Sequence, residues 1–291
     1  MKSNFEGDLS AIKDPKPGSF KSTQHWERLE RLENESIYIL REAYRTLSRP
    51  AMLWSMGKDS TVMLWLARKA FFGLIPFPVV HIDTSFKIPE MIEFRGKMAK
   101  EWGLDLRISS NREALAEGMN PQRGRLECCT ALKTEALKSY LSTSGLRSLF
   151  VAIRRDEEGS RAKERIFSPR GESSEWNYKE QAPELWQNYQ TDLGEGSEMR
   201  VHPLLNWTEL DIWLYIREED IPVLDLYFAR EGRRYRSVGC APCTGSFCSQ
   251  AQNLDEIVQE LSLTREGERV GRAQDNADRY ALQKLRSKGY M

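Results

Sequence analysis

The stretch from Ala51 to Ala70 leaves this chain few folds to choose from. Ala51-Met52-Leu53-Trp54 is a short apolar run that reads as a buried strand. Thr61-Val62-Met63-Leu64-Trp65-Leu66-Ala67-Arg68-Lys69-Ala70 has the apolar content and length of a helix. Only Ser55-Met56-Gly57-Lys58-Asp59-Ser60 lies between them. A strand that passes through a tight glycine turn into a helix builds an anion site. Gly57 lets the backbone approach a phosphate, and the N–H groups of the first helical turn point at it. Ser60 adds a hydroxyl and Lys58 a charge, so the site suits a pyrophosphate. The plainer alternative is a strand-to-helix turn with chance polar residues.

The loop is not the G-x-x-x-x-G-K-[ST] phosphate loop, because it holds a single glycine, and no G-x-G-x-x-G occurs in the chain. Ser-x-Gly-Lys-Asp-Ser after a strand resembles instead the PP-loop of the ATP pyrophosphatases. Those enzymes cleave ATP between the α and β phosphates and leave AMP on an acceptor. The resemblance implies adenylation rather than γ-phosphoryl transfer.

The surrounding pattern predicts an α/β chain. Residues 1–21 are polar and read as an arm or strap. Trp26, Leu29, Leu32, Ile37, Leu40, Tyr44 and Leu47 recur at helical spacing over 22–48, and Pro50 ends that helix. Strands are expected at 51–54, 78–84, 104–108 and 148–153, with helices to about Phe71, over 89–103 and over 129–141. Such alternation argues for a parallel sheet with helices on both faces, whose ligands sit at the carboxyl ends of the strands. Ser55–Ser60, Asp83-Thr84 and Arg154-Arg155 all fall at strand ends. Residues 168–198 are dense in charge and read as a solvated loop. Thr208 starts a helix running to Glu218, and the segment from Asn253 is mainly helical, with Leu254, Ile257, Val258 and Leu261 on one side. The expected division is an N-terminal arm and helix (1–48), a nucleotide-binding core (49–205) and a C-terminal segment (206–291).

Charge narrows the partners little. Lys+Arg and Asp+Glu are both 43 among 291 residues, so no global field favours nucleic acid or membrane. No run approaches the roughly 20 apolar residues of a membrane span, and the N-terminus lacks a signal peptide's apolar segment. A cytoplasmic protein is expected. In a reducing compartment the five cysteines, Cys128, Cys129, Cys240, Cys243 and Cys248, are better read as metal ligands or redox groups than as disulfides.

Joined together, Ser55–Ser60, His81-Ile82-Asp83-Thr84, Arg154–Arg161 and His202–Trp213 resemble the phosphoadenosine phosphosulfate reductase family. The resemblance implies the PP-loop fold, an adenine nucleotide alpha-hydrolase-like sheet, and ATP cleavage. Over nearly the whole chain it is closest to the family's sulfate-activating branch, the ATP-cleaving small subunit that works with a GTPase large subunit. Glu127-Cys128-Cys129 and Gly239-Cys240-Ala241-Pro242-Cys243 resemble instead the cysteine pairs of the assimilatory sulfonucleotide reductases. That likeness implies a four-iron, four-sulfur cluster on Cys128, Cys129, Cys240 and Cys243, with Lys133 nearby. Four thiolates suit such a cluster, and tetrahedral zinc or buried free thiols are the alternatives. Cys248 is spare and expected to be a buried small side chain. The reductases' nucleophilic cysteine near the C-terminus is missing, so reductase activity is not expected.

An ATP-cleaving core with a reductase-type cluster and no such nucleophile resembles the pyrophosphatase components of DNA phosphorothioation systems. The leading expectation is therefore activation of a DNA phosphate, with a cysteine desulfurase and other phosphorothioation proteins as partners. A sulfate adenylyltransferase small subunit and a non-catalytic nucleotide-sensing scaffold are the alternatives. In the expected roles Ser55, Gly57, Lys58, Asp59 and Ser60 hold the β and γ phosphates with magnesium. Asp83 and Thr84 lie near the α phosphate or its metal. Arg154 and Arg155 offer fork-shaped donors to phosphate or acceptor, and Arg161 and Lys163 close over the site. His202 and Trp207 are expected to pack the C-terminal segment beneath the nucleotide.

Overall fold

The computed structural model describes residues 23–268, apart from 160, 173, 180 and 195, together with Leu285 and Gly289. The polar arm over 1–21 and most of the chain beyond Glu268 lie outside the described residues. In order, the chain forms α1 (Thr23–Thr46), β1 (Pro50–Leu53), α2 (Lys58–Ala70), β2 (Val79–Ile82), α3 (Pro89–Glu101), β3 (Leu106–Ser109) and α4 (Arg112–Ala116). Then follow α5 (Arg125–Cys129), a π-helical segment (Thr130–Glu135), α6 (Ala136–Ser144), β4 (Ser148–Phe150), β5 (Phe167–Arg170) and β6 (Glu198–Val201). The described chain closes with α7 (Glu209–Glu218), β7 (Arg233–Tyr235), β8 (Ser246–Cys248) and α8 (Leu254–Leu263).

The main sheet has the order β3-β2-β1-β4-β6-β5, parallel throughout except for the antiparallel edge strand β5. This is the expected mostly parallel α/β fold. Its central strands are mostly apolar because both faces are covered: all of β2 and β4 is buried, His81 and Ser148 included, as are Ala51, Met52 and Leu53. The connections run from β1 outward to β3, then return to the far side of β1 for β4. The strand order therefore reverses between β1 and β4, and the loops leaving these two strands flank a crevice at their carboxyl ends.

Helix α1 follows its spacing, burying Leu29, Leu32 and Leu40, with Leu47 buried just past its end, while Trp26 and Tyr44 stay exposed. A buried polar residue of α1, Ser36, donates to the Pro203 carbonyl and accepts from Trp207 Nε1, both at 2.9 Å. Trp207 and His202 are thus core groups, and the His202 ring bonds the Arg165 carbonyl at 2.7 Å. Helix α7 starts at Thr208 as expected. Thr208 Oγ1 accepts from the Asp211 N–H and the Asp211 carboxylate accepts from the Thr208 N–H, a reciprocal cap that Arg28 ties to α1.

Three expectations fail. The stretch 168–198 is not all solvated loop, since β5 and the start of β6 lie in it and both are largely buried. Their charges are buried as pairs, Arg170 with Glu164 and Arg200 with Glu198, so a charged composition conceals sheet. The single helix expected over 129–141 is divided, with a π segment directly after Cys129. Cys248 is exposed on β8 rather than buried, in a hairpin that carries no apolar alternation.

Candidate active site

The crevice beyond β1 and β4 holds a cavity of about 180 Å³ lined by Ser55, Gly57, Lys58, Asp59 and Ser60 from the first loop. His81, Lys87, Lys133, Glu157, Arg161 and Tyr227 complete its polar wall. A larger cavity of about 900 Å³ lies between α6 and the β6 region. It contains none of the residues singled out from the sequence, and the PP-loop crevice is where the chemistry collects.

The first loop is braced internally. Ser60 Oγ donates to the Gly57 carbonyl at 3.0 Å and lies 3.1 Å from Ser55 Oγ, and Trp54 Nε1 reaches Thr61 Oγ1 at 3.2 Å. Met56, not Gly57, takes the left-handed backbone, at φ +63° against −68° for Gly57. What Gly57 supplies is room, because a Cβ there would stand 3.3 Å from Ser55 Oγ and 3.8 Å from Tyr227 Oη. Among the first-turn amides of α2, Lys58 N–H donates to Tyr227 Oη at 2.8 Å and Thr61 N–H to the Gly57 carbonyl. Asp59 and Ser60 carry the donors left for an anion.

Behind the loop lies a buried charge network. Lys58 Nζ pairs with Glu268 and with Asp59 at 3.2 Å, and donates to the Arg236 carbonyl at 3.4 Å. Arg154, fully buried, spreads its guanidinium over Asp59, Asp156 and Glu268. Burial opposes both cations, but the facing carboxylates outweigh it. Asp59, Glu268 and Glu209 hold the Lys58 pKa above the ordinary lysine value, and the same groups with Asp156 raise that of Arg154. Burial also pushes Asp156 and Glu209 up from the usual carboxylate range.

The other residues expected at the site separate. Arg161 lines the cavity and pairs with Glu157. Arg155 turns to Asn206 and the Glu164 carbonyl, and Lys163 sits over the Tyr178 ring at 4.6 Å. Asp83 accepts from the Ser85 N–H at 2.8 Å and pairs with Arg95, while Thr84 Oγ1 lies 3.1 Å from Cys240 Sγ. Sequence reasoning missed Tyr227, Glu209 and Glu268. Glu268 meets Lys58 across 210 residues, a separation at which no local pattern signals contact.

The cysteine pairs approach the same crevice from one side. The Ala241 N–H donates to the Phe86 carbonyl at 2.7 Å, and Lys87 and Cys240 pair as an isolated bridge. Burial, then the neighbouring Cys129, Cys240 and Cys243 thiols, push the Cys128 thiol up to about 11, with Lys133 opposing. The four thiols of Cys128, Cys129, Cys240 and Cys243 therefore lie within electrostatic reach of one another. They are not drawn into ligand geometry: no group of three or more His, Cys, Asp or Glu side chains among the described residues is arranged to hold a metal ion. Their donor chemistry fits an iron–sulfur cluster or zinc, and their spacing does not by itself make either site.

Residues 49–246 match the phosphoadenosine phosphosulfate reductase domain. The chain belongs to that family. It is 42% identical to sulfate adenylyltransferase subunit 2 of Alkalilimnicola ehrlichii, over 97% of this chain and 98% of the relative. It is 44% identical to the subunit of that name in Proteus mirabilis, over 90% and 97% of the two chains. Among solved structures it shares its fold with Candida glabrata FMN adenylyltransferase (TM-score 0.53, 17% identity, 77% of this chain and 65% of that one). A phosphoadenylyl-sulfate reductase from Candida auris is similar too (TM-score 0.51, 17% identity, 78% and 100%). These likenesses overturn the expectation of a DNA phosphorothioation component. That reading rested on two short cysteine segments, whereas the similarity to sulfate adenylyltransferase subunits runs the length of the chain. No helix among the described residues is long and apolar enough to cross a membrane.

Proposed function

We propose that this family member is an adenylyltransferase that activates sulfate. The acceptor oxyanion attacks the α phosphorus of ATP, the bond from that phosphorus to the bridging oxygen of the β phosphate breaks, and pyrophosphate leaves. Ser55, Gly57, Lys58, Asp59 and Ser60 bind the departing diphosphate, with magnesium neutralising its charge. The amides of Asp59 and Ser60 contribute the helix N-terminus. Lys87 and Lys133 bring positive charge to the same cavity for a doubly charged acceptor, beside the Arg161–Glu157 pair. Arg154 fixes Asp59 at the head of α2 and can turn its other guanidinium donors to the departing diphosphate. Catalysis is then mainly alignment and electrostatics, as in other phosphoryl transfers. The observation that carries the reading is the meeting of the PP-loop, Lys87, Lys133 and Arg161 in one cavity at the strand-order reversal.

A GTPase large subunit is the proposed partner, by likeness to the named subunits. The decisive assay is pyrophosphate release from ATP with that partner and GTP. Release should require sulfate and vanish in Lys58→Ala, whose far-ultraviolet dichroism stays native. Release that ignores sulfate would refute the acceptor, and retained turnover in the variant would remove Lys58 from the mechanism. For the four thiols the finer proposal is a four-iron, four-sulfur cluster on Cys128, Cys129, Cys240 and Cys243, supported by their soft-ligand chemistry. Iron and acid-labile sulfide near four each per chain after anaerobic purification would support it. Stoichiometric zinc, or no metal, would reject it.

A further inference from the structure

The PP-loop cations are already occupied. The Lys58 ammonium donates to Glu268 and to the Arg236 carbonyl, and pairs with the Asp59 carboxylate at 3.2 Å. The side chains of Lys58 and Arg154 are 1% and 0% exposed. Two of these three Lys58 partners belong to the site's own framework, since Asp59 heads α2 and Arg236 follows directly on β7. Glu268 differs, lying beyond the end of α8 on a segment held at its other side by Arg236. Arg236 Nη1 donates to the Glu266 carbonyl at 3.0 Å while its guanidinium also grips Glu209. The two oxygens of Glu268 bridge the two cations, one to Lys58 Nζ and one to the Arg154 guanidinium, as two phosphate oxygens would. The cavity that Lys58 lines, about 180 Å³, is smaller than the roughly 300–1,000 Å³ of ordinary ligand pockets.

We propose that Glu268 is a built-in competitor for ATP: its carboxylate stands where a phosphate docks, and the segment carrying it must be displaced for the nucleotide to bind. The inference rests on the nucleotide reading above and adds regulation to it. A phosphate entering the loop takes over the Lys58 and Arg154 donors, and Glu268 leaves with its segment. The segment thereby reports whether the site is filled, on the face where residues 266 and 267 are exposed. Empty, the cations stay neutralised and the loop stays shut. No bond is made or broken in the exchange.

The test uses the full chain and inorganic pyrophosphate as probe, by isothermal titration calorimetry, with ATP in parallel. Glu268→Gln, which removes the charge, and Glu268→Asp, which keeps it on a stem too short to bridge both cations, should each bind pyrophosphate at least about tenfold more tightly than wild type. In wild-type protein, saturating pyrophosphate should speed trypsin cleavage after the exposed Arg265, followed by mass spectrometry. This arm stands even if a variant does not fold. Tighter binding by Glu268→Gln with no change in Glu268→Asp would reduce the effect to charge and overturn the exchange. Weaker binding by both would make Glu268 a positioning residue for the cations instead. Protection of Arg265 by the ligand would overturn displacement. Binding of neither probe by any of the three chains would overturn the nucleotide reading itself, and the exchange with it.

Discussion

Replacing Arg154 with Met should hurt this protein more than replacing any exposed charge, and the damage should fade in acid. Arg154 is fully buried and is shared by Asp59, Asp156 and Glu268. Met fills the stem's volume but leaves those carboxylates facing one another. The penalty is not three broken pairs. Lys58 still reaches Asp59 and Glu268, and Asp156 keeps the Glu209 N–H at 2.8 Å and is about a third exposed. Removing one partner of a buried ion pair costs about 3–5 kcal/mol, and the surviving contacts and solvent screening place this case near the lower end, about 3 kcal/mol. In a chain of this size that corresponds to a fall in Tm of about 6–12 °C. The pH dependence follows from the sign of the carboxylate shift. Burial already holds Asp156 above its usual range, and loss of the guanidinium raises it further. A carboxylate whose folded pKa exceeds its unfolded one destabilises the fold above that pKa, and the destabilisation is relieved as pH falls through it. Urea unfolding of both proteins at pH 8 and pH 5 should therefore show a gap that narrows at pH 5. A gap under about 1 kcal/mol at pH 8, or one that widens on acidification, would refute the account of the network.

Two further outcomes follow from particular side chains. The buried His81 ring donates Nδ1–H to the Trp54 carbonyl at 2.9 Å, and burial, then Lys87, push its pKa from 6.5 down to about 4. Its folded pKa lies below the unfolded value, so the neutral ring stabilises the fold above pH 6.5 and that contribution is lost as pH falls toward 4. The loss amounts to about 3 kcal/mol, and a His81→Asn variant should lack this part of the acid slope in urea titrations. An unchanged slope would mean that His81 is protonated in the fold. Gly57→Ala should fold normally, because φ is −68°, yet bind ATP about tenfold more weakly, since the new methyl group intrudes between Ser55 Oγ and Tyr227 Oη. A native melting curve with unaltered ATP affinity would show that close approach at Gly57 does not matter.

The sheet's central half was legible in the sequence because its signals are local. Strands buried on both faces are apolar runs, helix α1 has its own period, and the PP-loop is contiguous from Ser55 to Ser60. Even the Thr208 cap is a three-residue pattern. Strands β5 and β6 were not legible, because their buried arginines are neutralised by glutamates, and pairing rather than composition is what permits burial. The branch of the family was misread for a related reason. Two cysteine pairs are conspicuous in sequence, but their chemistry depends on distances that only folding sets.

The sequence by itself determined the fold class and marked the candidate site, since a strand, a glycine turn and a helix N-terminus admit one arrangement and carry their own donors. Only the tertiary structure decided which charges meet there. It turned Arg155 toward Asn206, drew Arg154 beneath Asp59, set Tyr227 Oη on the Lys58 amide, and brought Glu268 between the two cations. The reason is range. Backbone geometry is settled by neighbours within a turn or two, whereas an ion pair between residues 58 and 268 exists only after the whole chain between them has packed.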